Sequence, residues 1–156
     1  MKKAVGPKAG GFSRYRIDLA YEGSDFAGWA KQPGLRTVQG DFLSTLELIF
    51  GKSEDDFGLR VAGRTDAGVH AEAQVIHIDL LPEQLKRLGR STNTVAKLNS
   101  LLPKDIRVKA FALAPNGFDA RFSASFRRYR YRIADPVSGW NPLYGKTQLW
   151  VNYELN

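Results

Sequence analysis

Between Arg14 and Glu22 apolar and polar positions alternate. Tyr15, Ile17, Leu19 and Tyr21 fall on one side and Arg14, Arg16, Asp18 and Glu22 on the other, the period of a half-buried strand. Ser24 to Arg36 has no period and holds glycines and a proline, so it reads as a loop; Trp29 within it is expected to pack, while Lys31 and Arg36 suit either solvent or nucleic acid. Thr37 can cap a helix whose Val38, Phe42, Leu46, Ile49 and Phe50 recur at helical spacing, with Gly51 placed to end it. Phe57, Leu59 and Val61 alternate into a loop at Gly63, and Gln74 to Leu80 leaves it with Ile76, Ile78 and Leu80 on one face, so the loop joins two adjacent strands. His77 falls on the opposite face and is expected to be a packing residue. A second helix is predicted from about Thr92 to Leu102, with Val95, Leu98, Leu101 and Leu102 in phase and Pro103 as a stop, and Ile106, Val108, Ala110 and Ala112 then alternate as a fourth strand. Phe126 to Ile133 reads as one more strand. The predicted class is α+β: a ferredoxin-like βαββαβ unit, the split βαβ arrangement, extended by an additional strand.

Composition narrows the possibilities without naming a function. The 156 residues, 43% hydrophobic and 25% charged, allow one substantial core. No apolar run is long enough for a membrane span. Residues 1–12 are basic and lack the apolar stretch of a secretory signal, so they are expected to be a flexible tail ahead of a domain spanning 13–156, in a cytoplasmic protein. There is no cysteine, and His70 and His77 are the only histidines, so neither a thiol nucleophile nor a metal site is expected. A formal charge of +7 points to a polyanionic partner.

The distribution of that charge sharpens the point. On a strand, Arg128, Arg130 and Arg132 would form a ladder at period two, with Arg121 and Arg127 just upstream, spaced to meet phosphates; a solvated sheet face would look the same. Tyr129 and Tyr131 between them suit stacking on bases or packing in a core. Chemistry is expected at Gly63-Arg64-Thr65-Asp66-Ala67-Gly68-Val69-His70, where two glycines flank a carboxylate. In an extended segment Arg64 would share a side with Asp66 and could keep it ionised as a nucleophile. The same residues also make an ordinary Asp-Ala-Gly turn beside a surface arginine, and local physics leaves that choice open.

Residues 63 to 71, Gly-Arg-Thr-Asp-Ala-Gly-Val-His-Ala, resemble the active-site signature of the tRNA pseudouridine synthase A family. Other ordered segments agree: Tyr21-Glu22-Gly23 with Gly28-Trp29; Thr37-Val38-Gln39; Asn99 with Leu102-Pro103-Lys104-Asp105-Ile106; and Ala120-Arg121-Phe122-Ser123-Ala124 with Arg127-Arg128-Tyr129-Arg130-Tyr131. The match runs from Arg14 to about Ile133. It departs at Ala30, where the family usually has Gln, and at Gly40, where it usually has an acidic residue. The resemblance implies a pseudouridine synthase fold of which this chain is the N-terminal half, a second half lying beyond Asn156. It implies an isomerase that turns uridine into pseudouridine in the anticodon arm of tRNA, at the positions conventionally numbered 38, 39 and 40. Asp66 would be the catalytic carboxylate, Tyr129 would pack on the target base, and Arg64 would pair with Asp66 or hold a neighbouring phosphate. Arg121, Arg128, Arg130 and Arg132 would bind RNA backbone. No cofactor or metal is expected of an isomerisation, and the family works as a homodimer. The competing expectation is a catalytically silent RNA-binding module of the same fold.

Overall fold

In the computed structural model, which describes residues 11–88 and 93–156, the alternating segment near the N-terminus becomes the central strand of a sheet. This strand, β1 (Ser13–Tyr21), pairs antiparallel with β3 (Ala71–Leu80) on one side and β4 (Ile106–Leu113) on the other. The short β2 (Arg60–Val61) pairs antiparallel with β3, giving the strand order β2-β3-β1-β4. Ile17 lies opposite Ile76 and Phe111, and Leu19 opposite Gln74 and Val108, so the buried apolar side chains of the three strands share one face. The alternation expected of β4 holds only for Ile106 and Val108. A register shift between Asp18 and Leu19 sets Ala110 and Ala112 opposite Asp18 and Arg16, where they are exposed, and turns Phe111 towards the core instead.

Two helices contribute to the core that covers that face. α1 (Val38–Phe50) starts where Thr37 Oγ1 accepts from the Gly40 amide at 3.2 Å, and it ends at Gly51, whose φ of +85° suits a residue without a Cβ. Its Val38, Phe42, Leu46, Ile49 and Phe50 are buried with Ile17, Leu19, Ile76, Ile78, Leu80, Ile106 and Val108. α3 (Thr94–Leu101) starts at Asn93, whose side chain accepts from the Ala96 amide, and it adds Leu98, with Leu102 just beyond its end; each large aliphatic side chain so buried contributes about 1.5–3 kcal/mol before entropy is charged against it. Among the described residues no helix is long and apolar enough to cross a membrane.

Several local expectations are corrected. Phe57 is not in a strand: it sits in a 3-10 turn, Asp56–Gly58, with φ +58°, because Ser53 Oγ accepts its amide and the turn drives its ring into the core against Phe50. Leu101 is half-exposed, since the helix rotates it off the stripe held by Leu98 and Leu102. A short α2 (Pro82–Lys86), begun by a proline at its first position and by Gln84 Oε1 accepting the Leu81 amide, was not expected. The predicted start of the second helix at Thr92, and nearly all of the predicted tail over residues 1–12, lie outside the described residues.

The other face of the sheet is partly covered by the chain after β4. Arg14 donates to both carboxylate oxygens of Asp79, at 2.7 and 2.8 Å, and to the Phe118 carbonyl at 2.9 Å; His77 Nδ1 accepts from the Ala120 amide at 2.9 Å. This first unit reaches to Ala124, and residues 125–156 form a second. Within the second, β5 (Ile133–Ala134) pairs parallel with β6 (Leu149–Trp150). The strand expected over Phe126–Ile133 therefore shrinks to its last residue. Residues 125–132 are assigned to no strand; within them the Arg132 carbonyl accepts from the Leu149 amide at 2.8 Å, at the edge of the β5–β6 pair, and alternation alone does not hold a strand over the rest.

Candidate active site

The loop of residues 63–70 leaves β2 and returns as β3, and it lies on the segment that follows β1. Trp29 donates its amide to the Thr65 carbonyl at 2.9 Å, the Gly68 amide donates to the Phe26 carbonyl at 3.2 Å, and the Gly23 amide donates to His70 Nδ1 at 3.0 Å. The loop closes on itself through the Val69 amide and the Asp66 carbonyl, at 3.2 Å, with Gly68 at φ +77°. Two glycines allow this approach. A Cβ on Gly23 would stand 2.1 Å from the Val69 carbonyl oxygen, and one on Gly28, at φ +96°, would stand 2.9 Å from that of Thr65.

Side chains reinforce the seat. The Tyr21 hydroxyl lies 2.7 Å from Thr65 Oγ1, and Gln74 Nε2 reaches both the Tyr21 hydroxyl, at 3.3 Å, and the Gly63 carbonyl, at 2.7 Å. Burial pushes the Tyr21 phenol above its ordinary pKa, partly offset by its bonds to Thr65 and Gln74. Arg36 stacks 4.2 Å over the Phe26 ring and bonds both carboxylate oxygens of Asp105, which raise the guanidinium's already high pKa. His70 Nδ1 is also 3.2 Å from Glu22 Oε1, but a nitrogen accepting from the Gly23 amide has no proton to share, so that contact is an ion pair only when the ring is protonated and the Gly23 bond is given up.

On this fixed loop Asp66 is exposed. So is Arg64, and neither side chain has an ion pair or hydrogen bond with any of the described residues, so the two do not pair with each other here. Arg121 is exposed in the first unit, its guanidinium 5.5 Å over the Phe122 ring and its amide donating to Asp119 Oδ1. It lines a cleft of about 540 Å³ with Arg14, Arg60, His77, Asp79 and Asp119, and neither Asp66 nor Arg64 lines that cleft. His77 at its base is neutral at physiological pH: burial, and then the nearby charge of Arg14, lower its pKa to about 4. Tyr129, Arg128, Arg130 and Arg132 belong to the second unit and are all exposed, Tyr129 at 69%. Arg132 lies 5.8 Å over the Tyr144 ring. The three arginines do not form the sheet-borne ladder that their spacing suggested, because that stretch is not a strand.

Set beside known sequences, the chain is 46% identical over 147 residues to the tRNA pseudouridine synthase A of Streptomyces avermitilis, covering 94% of this chain and 51% of that protein. It is 48% identical to the protein of the same name from Leifsonia xyli subsp. xyli, over 92% of the chain and 54% of the relative, and 49% identical to that of Bifidobacterium longum, over 92% and 51%. The chain belongs to the tRNA pseudouridine synthase A family. It spans about half the length of the curated relatives it matches, and no family model matches it.

Within the family resemblance, motif reading singled out Asp66 and Arg64 and missed what holds them. Tyr21 and Gly23 reach the loop across 44 and 47 positions of sequence, Gly28 lies against it at Thr65, Gln74 holds its Gly63 carbonyl while reaching Tyr21, and Arg36 with Asp105 acts through Phe26. The available signal was the pair of glycines bracketing Ser24–Ala27, in a segment that otherwise read as a plain connection.

Proposed function

We propose that this chain carries the nucleophile-bearing part of a tRNA pseudouridine synthase, an isomerase acting on uridines 38 to 40 of the anticodon arm, in a cytoplasmic homodimer. The strand order β2-β3-β1-β4, with a helix before β2 and others before β4, supports a ferredoxin-like arrangement for residues 13–124; we assign residues 125–156 to the same N-terminal half. The observation that carries the functional reading is an exposed carboxylate, Asp66, on a loop that backbone and side-chain bonds immobilise from below. A pure RNA binder gains nothing from a fixed anion facing phosphates. A nucleophile needs both access and a fixed position.

In the reaction the bond between uracil N1 and ribose C1′ breaks, Asp66 attacks C1′, the released base turns, and C5 bonds to C1′ as the carboxylate leaves; C5 loses its proton and N1 gains one. Atoms balance without an oxidant, a nucleotide or a metal. A carboxylate is the group that glycosidases use against such an oxocarbenium-like centre. Arg64 would hold a phosphate beside the extruded nucleotide, Tyr129 would stack on the uracil, and Arg121, Arg128, Arg130 and Arg132 would bind phosphates. Because the chain spans about half of its relatives, a silent RNA-binding module is the second reading. The two are separated by assaying pseudouridine in uridine-labelled tRNA with the chain completed to the length of its relatives. The completed protein is expected to be active and its Asp66→Asn and Asp66→Ala variants inactive with tRNA affinity kept; turnover by Asp66→Ala would refute the nucleophile.

A further inference from the structure

The phenol of Tyr21 is 4% exposed, and its proton needs an acceptor. Gln74 cannot be that acceptor. Its amide group is oriented by two backbone partners: Nε2 donates to the Gly63 carbonyl at 2.7 Å and Oε1 accepts from the Val75 amide at 3.2 Å, so the group that meets the Tyr21 oxygen at 3.3 Å is a donor. If Thr65 also donated to Tyr21, the phenolic proton would be buried with no acceptor among the described residues, which is costly. Tyr21 therefore donates to Thr65 Oγ1 across 2.7 Å. The Thr65 hydroxyl, having accepted, turns its own proton away from Tyr21, and no acceptor for it is found among the described residues. Thr65 is half-buried, and the next residue is the exposed Asp66.

We propose that Thr65 contacts the substrate, donating its hydroxyl proton to an acceptor oxygen of the bound uridine nucleotide, and that Tyr21 and Gln74 are positioning residues that fix the direction of that donor. This rests on the reading of the 63–70 loop as the uridine site. A donor whose direction is set before the substrate arrives loses no orientation on binding.

The test is a cycle of Thr65→Val, Thr65→Ser, Tyr21→Phe and the double variant Thr65→Val with Tyr21→Phe, read for urea stability in the chain and for pseudouridine formation in the chain completed to the length of its relatives. Thr65→Val orphans the Tyr21 proton and is expected to lower the urea midpoint by about 1 M. Adding Tyr21→Phe removes the orphan and should restore most of that midpoint. The activity lost in Thr65→Val, about tenfold in kcat/KM for one missing neutral hydrogen bond, should not return in the double variant, whereas Thr65→Ser should stay within about threefold of wild type. A structural role alone would make activity recover together with stability in the double variant, and that result overturns the proposal. So does a Thr65→Val variant that is as stable as wild type, because the proton would then run from Thr65 to Tyr21, or one that is as active. A completed wild-type protein that forms no pseudouridine would instead overturn the proposed function together with this inference.

Discussion

Replacing Gly23 with alanine should displace the 63–70 loop without altering any group proposed to touch RNA. The added Cβ would stand 2.1 Å from the Val69 carbonyl oxygen and 2.5 Å from its carbon. Non-bonded carbon and oxygen need about 1 Å more than that, and because both parties are backbone, no rotamer change relieves the overlap. One segment must retreat by about 1 Å. The retreat strains the 3.0 Å bond from the Gly23 amide to His70, and Asp66 moves with the loop because Val69 is bonded to the Asp66 carbonyl. A misplacement of about 1 Å costs on the order of 100-fold in rate. Gly23→Ala in the completed protein is therefore expected to lower kcat for pseudouridine formation about 100-fold, with filter-binding affinity for tRNA changed less than about threefold, since phosphate contacts carry that affinity. Circular dichroism and urea unfolding of the 156-residue variant check that the sheet persists. A variant that turns over at the wild-type rate would show that the contact between the 21–29 segment and the loop does not set the position of Asp66.

Three further outcomes are expected. Tyr129→Ala should weaken both productive binding and turnover, by about 1–3 kcal/mol of lost stacking, while Tyr129→Phe should keep them; an Ala variant at full rate would remove the stacking role. His77 titrates near 6.5 in the unfolded chain but only near 4 when folded, so the stability that it contributes is complete above pH 6.5 and falls as pH drops towards 4. At pH 5 the loss is about 2 kcal/mol; His77→Gln, which keeps an acceptor for the Ala120 amide, should abolish that part of the acid sensitivity in urea unfolding, and an equal pH dependence in both proteins would refute it. Finally, the 156-residue chain should bind tRNA with an affinity that falls steeply as salt rises, because exposed Arg64, Arg121, Arg128, Arg130 and Arg132 act through phosphates; binding that ignores salt in a filter titration would exclude that mode.

How much of this was legible beforehand depends on the range of the interaction responsible. α1 could be read from its stripe and from Thr37 and Gly51, because a helix closes its hydrogen bonds within four residues and its caps are neighbours in sequence. β1 and β3 could be read from alternation, since each has a buried face, and β4 only as far as Val108, because a register shift against β1 then reverses its faces; the motif at Gly63–Ala71 marked where to look for chemistry. The same alternation over Phe126–Ile133 misled, because a strand takes its hydrogen bonds from another strand and nothing within the segment says whether one is there. Only the tertiary structure joined Arg14 to Asp79, Arg36 to Asp105 and Tyr21 to Thr65, pairs separated by 65, 69 and 44 positions. Sequence pattern named Asp66 as the candidate group. The seat that fixes it depends on two backbones coming close enough to exclude a methyl group at Gly23, and that distance exists only once β1 and β3 have paired.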